Sequence, residues 1–169
     1  MEKNIAVVGT GYWGKNLVRN FAELGALRVI CDVDQDKLDH FKTKYPEILT
    51  TTSFEEVLEN EDIKGVVIST PAVLHYNMAK EALVNDKAVF VEKPLSLRIE
   101  EGKDLVEIAE ERENILMVGH ILHYHPAVLK LQELVNRGEL GKIQYIYFSQ
   151  RANAERNIII RNQGMRWWR

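Results

Sequence analysis

Residues Ile5-Ala-Val-Val-Gly9-Thr-Gly11-Tyr-Trp-Gly14 constrain the fold more than any other stretch, because an apolar run of strand length opens directly into Gly-x-Gly-x-x-Gly. Lys15 to Leu24 follows with apolar residues at helical spacing (Leu17, Val18, Phe21, Ala22), so the glycines lie between a strand and a helix. In that setting each glycine has a mechanical reason. Gly9 makes the tight turn, Gly11 lets the backbone approach a pyrophosphate, and Gly14 lets helix and strand pack closely. The phosphates would sit on the free N–H groups and positive dipole end of a helix beginning near Tyr12, which brings Tyr12 and Trp13 into the candidate contact set.

The second half of this fingerprint is an acid at the tip of the next strand. Leu27-Arg-Val-Ile-Cys-Asp32 supplies one 18 residues beyond Gly14. A carboxylate there is expected to accept both ribose hydroxyls of an adenosine half and to repel a 2′-phosphate. At about 4 Å and an effective dielectric of about 20, each like-charge pair costs about 4 kcal/mol, on the order of a thousandfold in affinity, so the expected cofactor is NAD rather than NADP. Asp34 reads as the N-cap of the next helix.

Further along, helix Asp34 to Tyr45 is ended by Pro46, and Thr50 to Ser53 reads as a short connection. There Ser53 and Glu56 form a capping box for a helix reaching Asn60. Apolar strands Lys64–Ser69, Ala88–Val91 and Ile115–Val118 alternate with helices His75–Val84 and Ile99–Arg112. Near-continuous Val, Ile and Leu strands between helices predict an α/β fold, a doubly wound parallel sheet of the Rossmann type. Ligands of such sheets sit beyond the carboxyl ends of the strands. Asp32, Ser69-Thr70-Pro71, Glu92-Lys93-Pro94 and His120 all fall just past predicted strand ends, and so line one rim.

Composition removes other classes. The sequence has no apolar run near 18 residues and no charged-then-apolar leader, so no membrane partner is expected. Its single cysteine, Cys31, lies inside a predicted strand and reads as a buried hydrophobe in a reducing, cytoplasmic compartment. Net charge is −3, yet Ser149 to Arg169 holds five Arg and one Glu, which leaves −7 for the first 148 residues. That is a tail of distinct composition rather than a nucleic-acid-binding face. His120-x-x-His123-x-His125 lacks a neighbouring cysteine or acid, and no metal site is expected. Tyr76-x-x-x-Lys80, a pair also found in short-chain dehydrogenases, reads as a partly exposed helix face.

Lys93 is the sharpest chemical candidate. Beside a cationic nicotinamide and partly desolvated, it has both effects acting against its charged form. Its amine could then take the hydroxyl proton of an alcohol while hydride leaves the carbon for NAD.

Together Gly9-Thr-Gly-Tyr-Trp-Gly14, Asp32, Thr70-Pro71-x-x-x-His75, Glu92-Lys93-Pro94 and Gly119-His120 with His123-Tyr-His-Pro126 resemble the glucose-fructose oxidoreductase / inositol dehydrogenase / MocA family over residues 1–148. Within it, Val118–Pro126 and Gly138-Glu-Leu-Gly-Lys-Ile143 look most like nucleotide-sugar 3-dehydrogenases acting on UDP-N-acetylhexosamine derivatives, or their uronates, in bacterial surface-polysaccharide synthesis. The resemblance implies that Lys93 is the catalytic lysine. It also implies that Thr70, Pro71 and His75 contact the nicotinamide half and that Glu92 holds the nicotinamide-ribose region. His120 joins them as a cofactor or substrate contact at the rim. An NAD-binding Rossmann domain over 1–120 is expected, followed over 121–169 by a connecting helix and the first strand of an incomplete substrate and oligomerisation domain.

Two departures accompany the resemblance. Many relatives read Arg-aromatic-x-Pro where this chain has His123-Tyr-His-Pro126. The family's second catalytic histidine motif does not follow Ile143–Phe148, so the chain is expected to be truncated, and turnover is an open question. The expected partners are a sugar or nucleotide-sugar substrate and further copies of the chain, with strand Ile143–Phe148 unpaired within its own chain. The alternatives are an inactive NAD-binding fragment and a methyltransferase-like adenosine binder, the latter disfavoured by Glu92-Lys93-Pro94.

Overall fold

The computed structural model describes residues 3–149 and 157–162, with side chains through residue 146. The chain divides into two compact units, Met1–His120 and Ile121–Arg169.

In the first unit, strands β1 (Ile5–Val8), β2 (Leu27–Cys31), β3 (Leu49–Thr51), β4 (Gly65–Ile68), β5 (Ala88–Val91) and β6 (Leu116–Val118) form one parallel sheet. Its order is β3-β2-β1-β4-β5-β6. Helices α1 (Gly14–Glu23), α2 (Gln35–Lys44), α3 (Phe54–Glu59), α4 (Ala72–Val84) and α5 (Ile99–Glu111) make the crossovers. β1 and β4 are neighbours although five elements separate them in sequence, so the strand order reverses between them and opens a crevice at their carboxyl ends.

Both faces of the sheet are covered at its centre, which is why β1, β4 and β5 are apolar throughout rather than alternating. Ala6, Val8, Val66, Ile68, Val89 and Val91 pack under α3, α4 and α5, while Val7, Ile30 and Val67 pack under α1 and α2. Each fully buried Val, Leu or Ile side chain contributes about 1.5–3 kcal/mol relative to exposure.

The structure corrects several expected elements. Leu49–Thr51 is a strand, not a connection; this short edge element pairs with β2 from Val29↔Leu49 to Cys31↔Thr51. Helix α4 begins at Ala72, directly after Pro71, because the fixed φ of proline (−57°) suits a helix entry. The expected capping box is half made. Ser53 Oγ accepts from the Glu56 amide at 3.2 Å, but the Glu56 carboxylate accepts from the Thr51 hydroxyl, and the Ser53 amide donates to Thr51 Oγ1 at 3.1 Å. Asp34 caps α2 as expected, accepting from the amides of Asp36 (3.1 Å) and Lys37 (3.3 Å).

In the second unit a 3₁₀ turn (Ile121–Tyr124) leads to α6 (Pro126–Asn136) and strands β7 (Ile143–Ser149) and β8 (Asn157–Asn162). β7 pairs antiparallel with β8, with Ile146↔Ile160 and Tyr147↔Ile159 opposite one another. The expectation that Ile143–Phe148 lacks a partner in its own chain is therefore overturned: the arginine-rich tail supplies one. The rest of that tail lies outside the described residues.

Among the described residues no helix is long and apolar enough to cross a membrane. Cys31 is 3% exposed, and burial, then Asp32 and Glu56, push its thiol up to about 12. Labelling with a thiol reagent at pH 8 should therefore be negligible for the native protein and should appear only across the denaturant unfolding transition.

Candidate functional site

The glycine turn closes on backbone and on the Ser69 hydroxyl. At Gly9 φ is +86°, and a Cβ there would stand 2.9 Å from the Ser69 carbonyl and the Thr70 amide. At Gly14 a Cβ would stand 2.0 Å from the Gly9 carbonyl oxygen. Gly11 differs, having nothing within 4 Å of where a Cβ would lie, so its backbone faces open space. Ser69 Oγ donates to Gly9 O at 2.6 Å, joining the turn to the tip of β4. No side chain caps α1 and no acid occupies its first turn, which leaves the positive end of the helix to an external anion. Tyr12 and Trp13 lie exposed on the turn.

Asp32 is 8% exposed and does more than predicted. Its Oδ2 accepts from both the Thr10 amide and the Thr10 hydroxyl at 2.6 Å, and its Oδ1 accepts from the Asp34 amide at 3.0 Å. Lys37 Nζ stands 3.6 Å from Oδ1. A carboxylate has about four lone-pair sites, and three are filled. Asp32 thus retains room for one hydroxyl, not the two expected, because it ties the glycine turn to β2. Thr10 was not predicted. Its signal is its place between Gly9 and Gly11, where its amide must find an acceptor at the next strand tip. A groove of about 740 Å³ runs from Gly11 and Tyr12 along α1 and α2, past Lys15, Asp34 and Lys37.

On the other side of the switch point, β4 and β5 end together, with Ile68 opposite Val91. Thr70 is half-buried. Its Oγ1 lies 3.5 Å from Met78 Sδ. Pro71 is exposed at the head of α4.

His75 departs from expectation. It is 2% exposed, with Nδ1 2.7 Å from Pro94 O and Nε2 2.8 Å from Thr70 O. Both of its ring nitrogens are committed to backbone carbonyls, so the imidazole is a tie between loops rather than a free contact.

Glu92 is 9% exposed. Its Oε2 accepts weakly from the Lys93 amide at 3.3 Å, while its buried Oε1 has no partner. A Cβ at Gly119 would lie 3.0 Å from that Oε1, so a larger residue there would press on the carboxylate. Lys93 is exposed, not partly desolvated. Its amine makes no ion pair with Glu92 or with any other described residue. His120 is exposed at the tip of β6.

The remaining motifs are occupied elsewhere. Tyr76 and Lys80 both bond Asp104 at 2.8 Å, clamping α4 to α5. His125 caps α6 by accepting from the Ala127 amide at 3.2 Å. No group of three or more metal-ligating side chains gathers among the described residues.

The residues present fit a dinucleotide. An uncapped helix start and an open Gly11 face one half, and a buried carboxylate oxygen without a donor faces the other. A parallel sheet of this order with a glycine turn at its switch point defines a dinucleotide-binding oxidoreductase domain. The chain belongs to the Gfo/Idh/MocA oxidoreductase family, whose NAD-binding Rossmann-fold model matches residues 3–120. Among its relatives, the scyllo-inositol 2-dehydrogenase (NAD⁺) of Bacillus subtilis is 32% identical over 94% of this chain and 48% of its own. The 2,7-anhydro-N-acetylneuraminate hydratase of Mediterraneibacter gnavus is 28% identical over 84% of this chain and 38% of its own. A crystal structure of scyllo-inositol dehydrogenase from Lactobacillus casei, with NAD(H) and scyllo-inositol bound, superposes with a TM-score of 0.80. It is 26% identical and covers 86% of this chain and 44% of that one. The chain thus spans less than half the length of these relatives.

The bonding of Asp32 sets a pH dependence. Burial opposes its charge, but the Thr10 hydroxyl and amide, the Asp34 amide and Lys37 outweigh burial and hold the carboxyl below the ordinary value of 3.8. A depressed folded-state value means stability that is full above the unfolded value and is lost as pH falls through the folded one. Urea unfolding should therefore show wild type losing, below pH about 4, stability that Asp32→Asn lacks at every pH, so the two curves converge in acid.

Proposed function

We propose that this chain is the coenzyme-binding part of an NAD-dependent dehydrogenase acting on a secondary alcohol of a sugar. The observation that carries this reading is the convergence at the carboxyl ends of β1, β4 and β5. The glycine turn, the Ser69–Thr70 tip, the unpartnered Glu92 oxygen and Lys93 all stand on adjacent parallel strands. The inositol dehydrogenases among its relatives support a polyol or sugar substrate. The resemblance of Val118–Pro126 and Gly138–Ile143 to nucleotide-sugar 3-dehydrogenases supports a nucleotide sugar of surface-polysaccharide synthesis as the substrate.

In this reading Gly9, Gly11, Tyr12, Trp13 and Gly14 hold the pyrophosphate, and Asp32 accepts one ribose hydroxyl. Ser69, Thr70, Pro71 and His120 border the nicotinamide half. The Glu92 carboxylate, one oxygen of which lacks a donor, turns to accept a ribose hydroxyl there. Bound NAD supplies a hydride acceptor. Lys93 Nζ takes the hydroxyl proton of the substrate alcohol, the positive nicotinamide ring of bound NAD acting against the amine's charged form. The units 1–120 and 121–169 divide the work between coenzyme and substrate. α6 has no buried residue, and its exposed Leu129 and Val135 support homo-oligomeric assembly in the cytoplasm.

A second reading is an NAD-binding part that does not turn over alone. It is favoured by the exposure of Lys93, since proton transfer during hydride chemistry works best away from water.

Calorimetry should find NAD bound more tightly than NADP by on the order of a hundredfold or more, and equal affinities would remove the discriminating role of Asp32. NADH formation with inositols and UDP-N-acetylhexosamines should fall by about 10²–10⁴ in Lys93→Ala, with NAD affinity retained. NAD binding without NADH from either protein selects the second reading.

A further inference from the structure

We infer that His75 is a positioning residue, which sets the nicotinamide half of the site by tying the tip of β4 to the lysine-bearing loop after β5; this rests on the coenzyme reading above. Its place follows from the helix. With α4 starting at Ala72, His75 falls one turn in, and His75, Ala79, Ala82 and Leu83 form the buried stripe at i, i+4, i+7 and i+8. The inward face of the first turn meets the two loops, and a histidine there meets carbonyls.

The two acceptors matter because of what they belong to. Thr70 O precedes Pro71 at the end of β4, and Pro94 O follows Lys93 at the end of β5. β4 and β5 are hydrogen-bonded along their length, but beyond Ile68 and Val91 that ladder leaves only the Glu92 amide donating to Ile68 O at 2.9 Å. Past that point His75 joins the two backbones. Ring nitrogens on opposite sides of a rigid imidazole fix the separation of the two carbonyls, and with it the gap between Thr70 and Lys93. A neutral ring carries one N–H and serves one carbonyl, and the doubly protonated ring serves both. The bridge between two carbonyls therefore calls for the doubly protonated ring, and a neutral ring bonds one loop and meets the other only by packing.

His75 itself has no exposed surface with which to touch a coenzyme. The effect of removing it should be confined to ligands that place a ring between Thr70 and Lys93. ADP-ribose keeps the glycine-turn contacts and the ribose at Glu92 but has no nicotinamide ring to fill that gap, whereas NAD does.

The test is calorimetry of NAD and of ADP-ribose with wild type, His75→Phe and His75→Gln. Wild type should prefer NAD. His75→Phe should bind ADP-ribose with unchanged affinity but NAD about tenfold more weakly, and His75→Gln, which keeps an amide donor, should recover part of the loss. Retention of ADP-ribose binding reports that the variant is folded. Equal weakening of both ligands, or an unchanged NAD preference in the variants, overturns the inference. A wild type that binds NAD no better than ADP-ribose overturns the coenzyme reading itself, and this inference with it. A measurement on the wild type alone keeps the test independent of variant folding: in ¹⁵N-histidine spectra the buried His75 ring signals should shift on adding NAD and stay in place on adding ADP-ribose. An identical response to the two ligands also overturns the inference.

Discussion

The closest constraint in the molecule is the approach of three stretches of backbone at the end of the central strand. Gly9 lies against Ser69 and Thr70, and Gly14 lies against Gly9, at separations that leave no space for a β-carbon. Residues that carry chemistry elsewhere in the rim depend on this contact because β1 and β4 are the strands between which the order reverses. If the helix start were pushed away from β1 by one methyl group, the free amides of α1 would no longer face the crevice. The Ser69 hydroxyl would also lose the Gly9 carbonyl it now holds. Overpacking of this kind costs about 1–3 kcal/mol even in apolar cores, and here the atoms to be displaced are main chain.

Asp32 extends the same contact to the second strand. A discriminating acid is usually thought of as facing its ligand. In this chain three of its bonds face the protein instead, two from Thr10 and one from Asp34. The negative charge at the strand tip is thereby fixed in place before any ligand arrives. A preorganised charge repels a 2′-phosphate more effectively than a mobile one, since it cannot swing aside without giving up buried hydrogen bonds.

The fold was readable where burial was two-sided. β1, β4 and β5 are apolar through their length and β2 is broken only by Arg28, while the glycine turn places the first crossover. β3 was not readable, because Leu49-Thr-Thr51 is a three-residue edge with no buried side chain, and such a strand is made by its partner rather than by its own pattern. β8 was hidden for a similar reason. Asn157–Asn162 contains Ile158, Ile159 and Ile160, but the charge of the surrounding tail outweighed those three residues, and only pairing with β7 reveals them as a strand. At the site, the residue types at the rim were legible from strand ends alone. Which of them face outward was not. The inward turn of His75 depends on a helix start three residues earlier than the apolar spacing indicated, and the seat of the Glu92 carboxylate depends on Gly119, one strand away and 27 residues along the chain.

These corrections share a direction. Among the described residues the lysine of the rim has no ion pair, and the residues beside it are bound: the Glu92 amide donates to Ile68 O and the Pro94 carbonyl meets His75 Nδ1. A carboxylate partner for Lys93 would fix its position at the expense of its chemistry, because a nearby negative charge favours the ammonium form and blocks proton uptake. Fixing the flanking backbone instead places the side chain's origin without touching its charge. That arrangement explains how an exposed lysine with no ion pair among the described residues is compatible with a precise site: the precision resides in the loop. It also explains why the neighbouring positions are a glycine that admits a carboxylate and a buried ring with two polar edges, neither of which a surface loop would otherwise need.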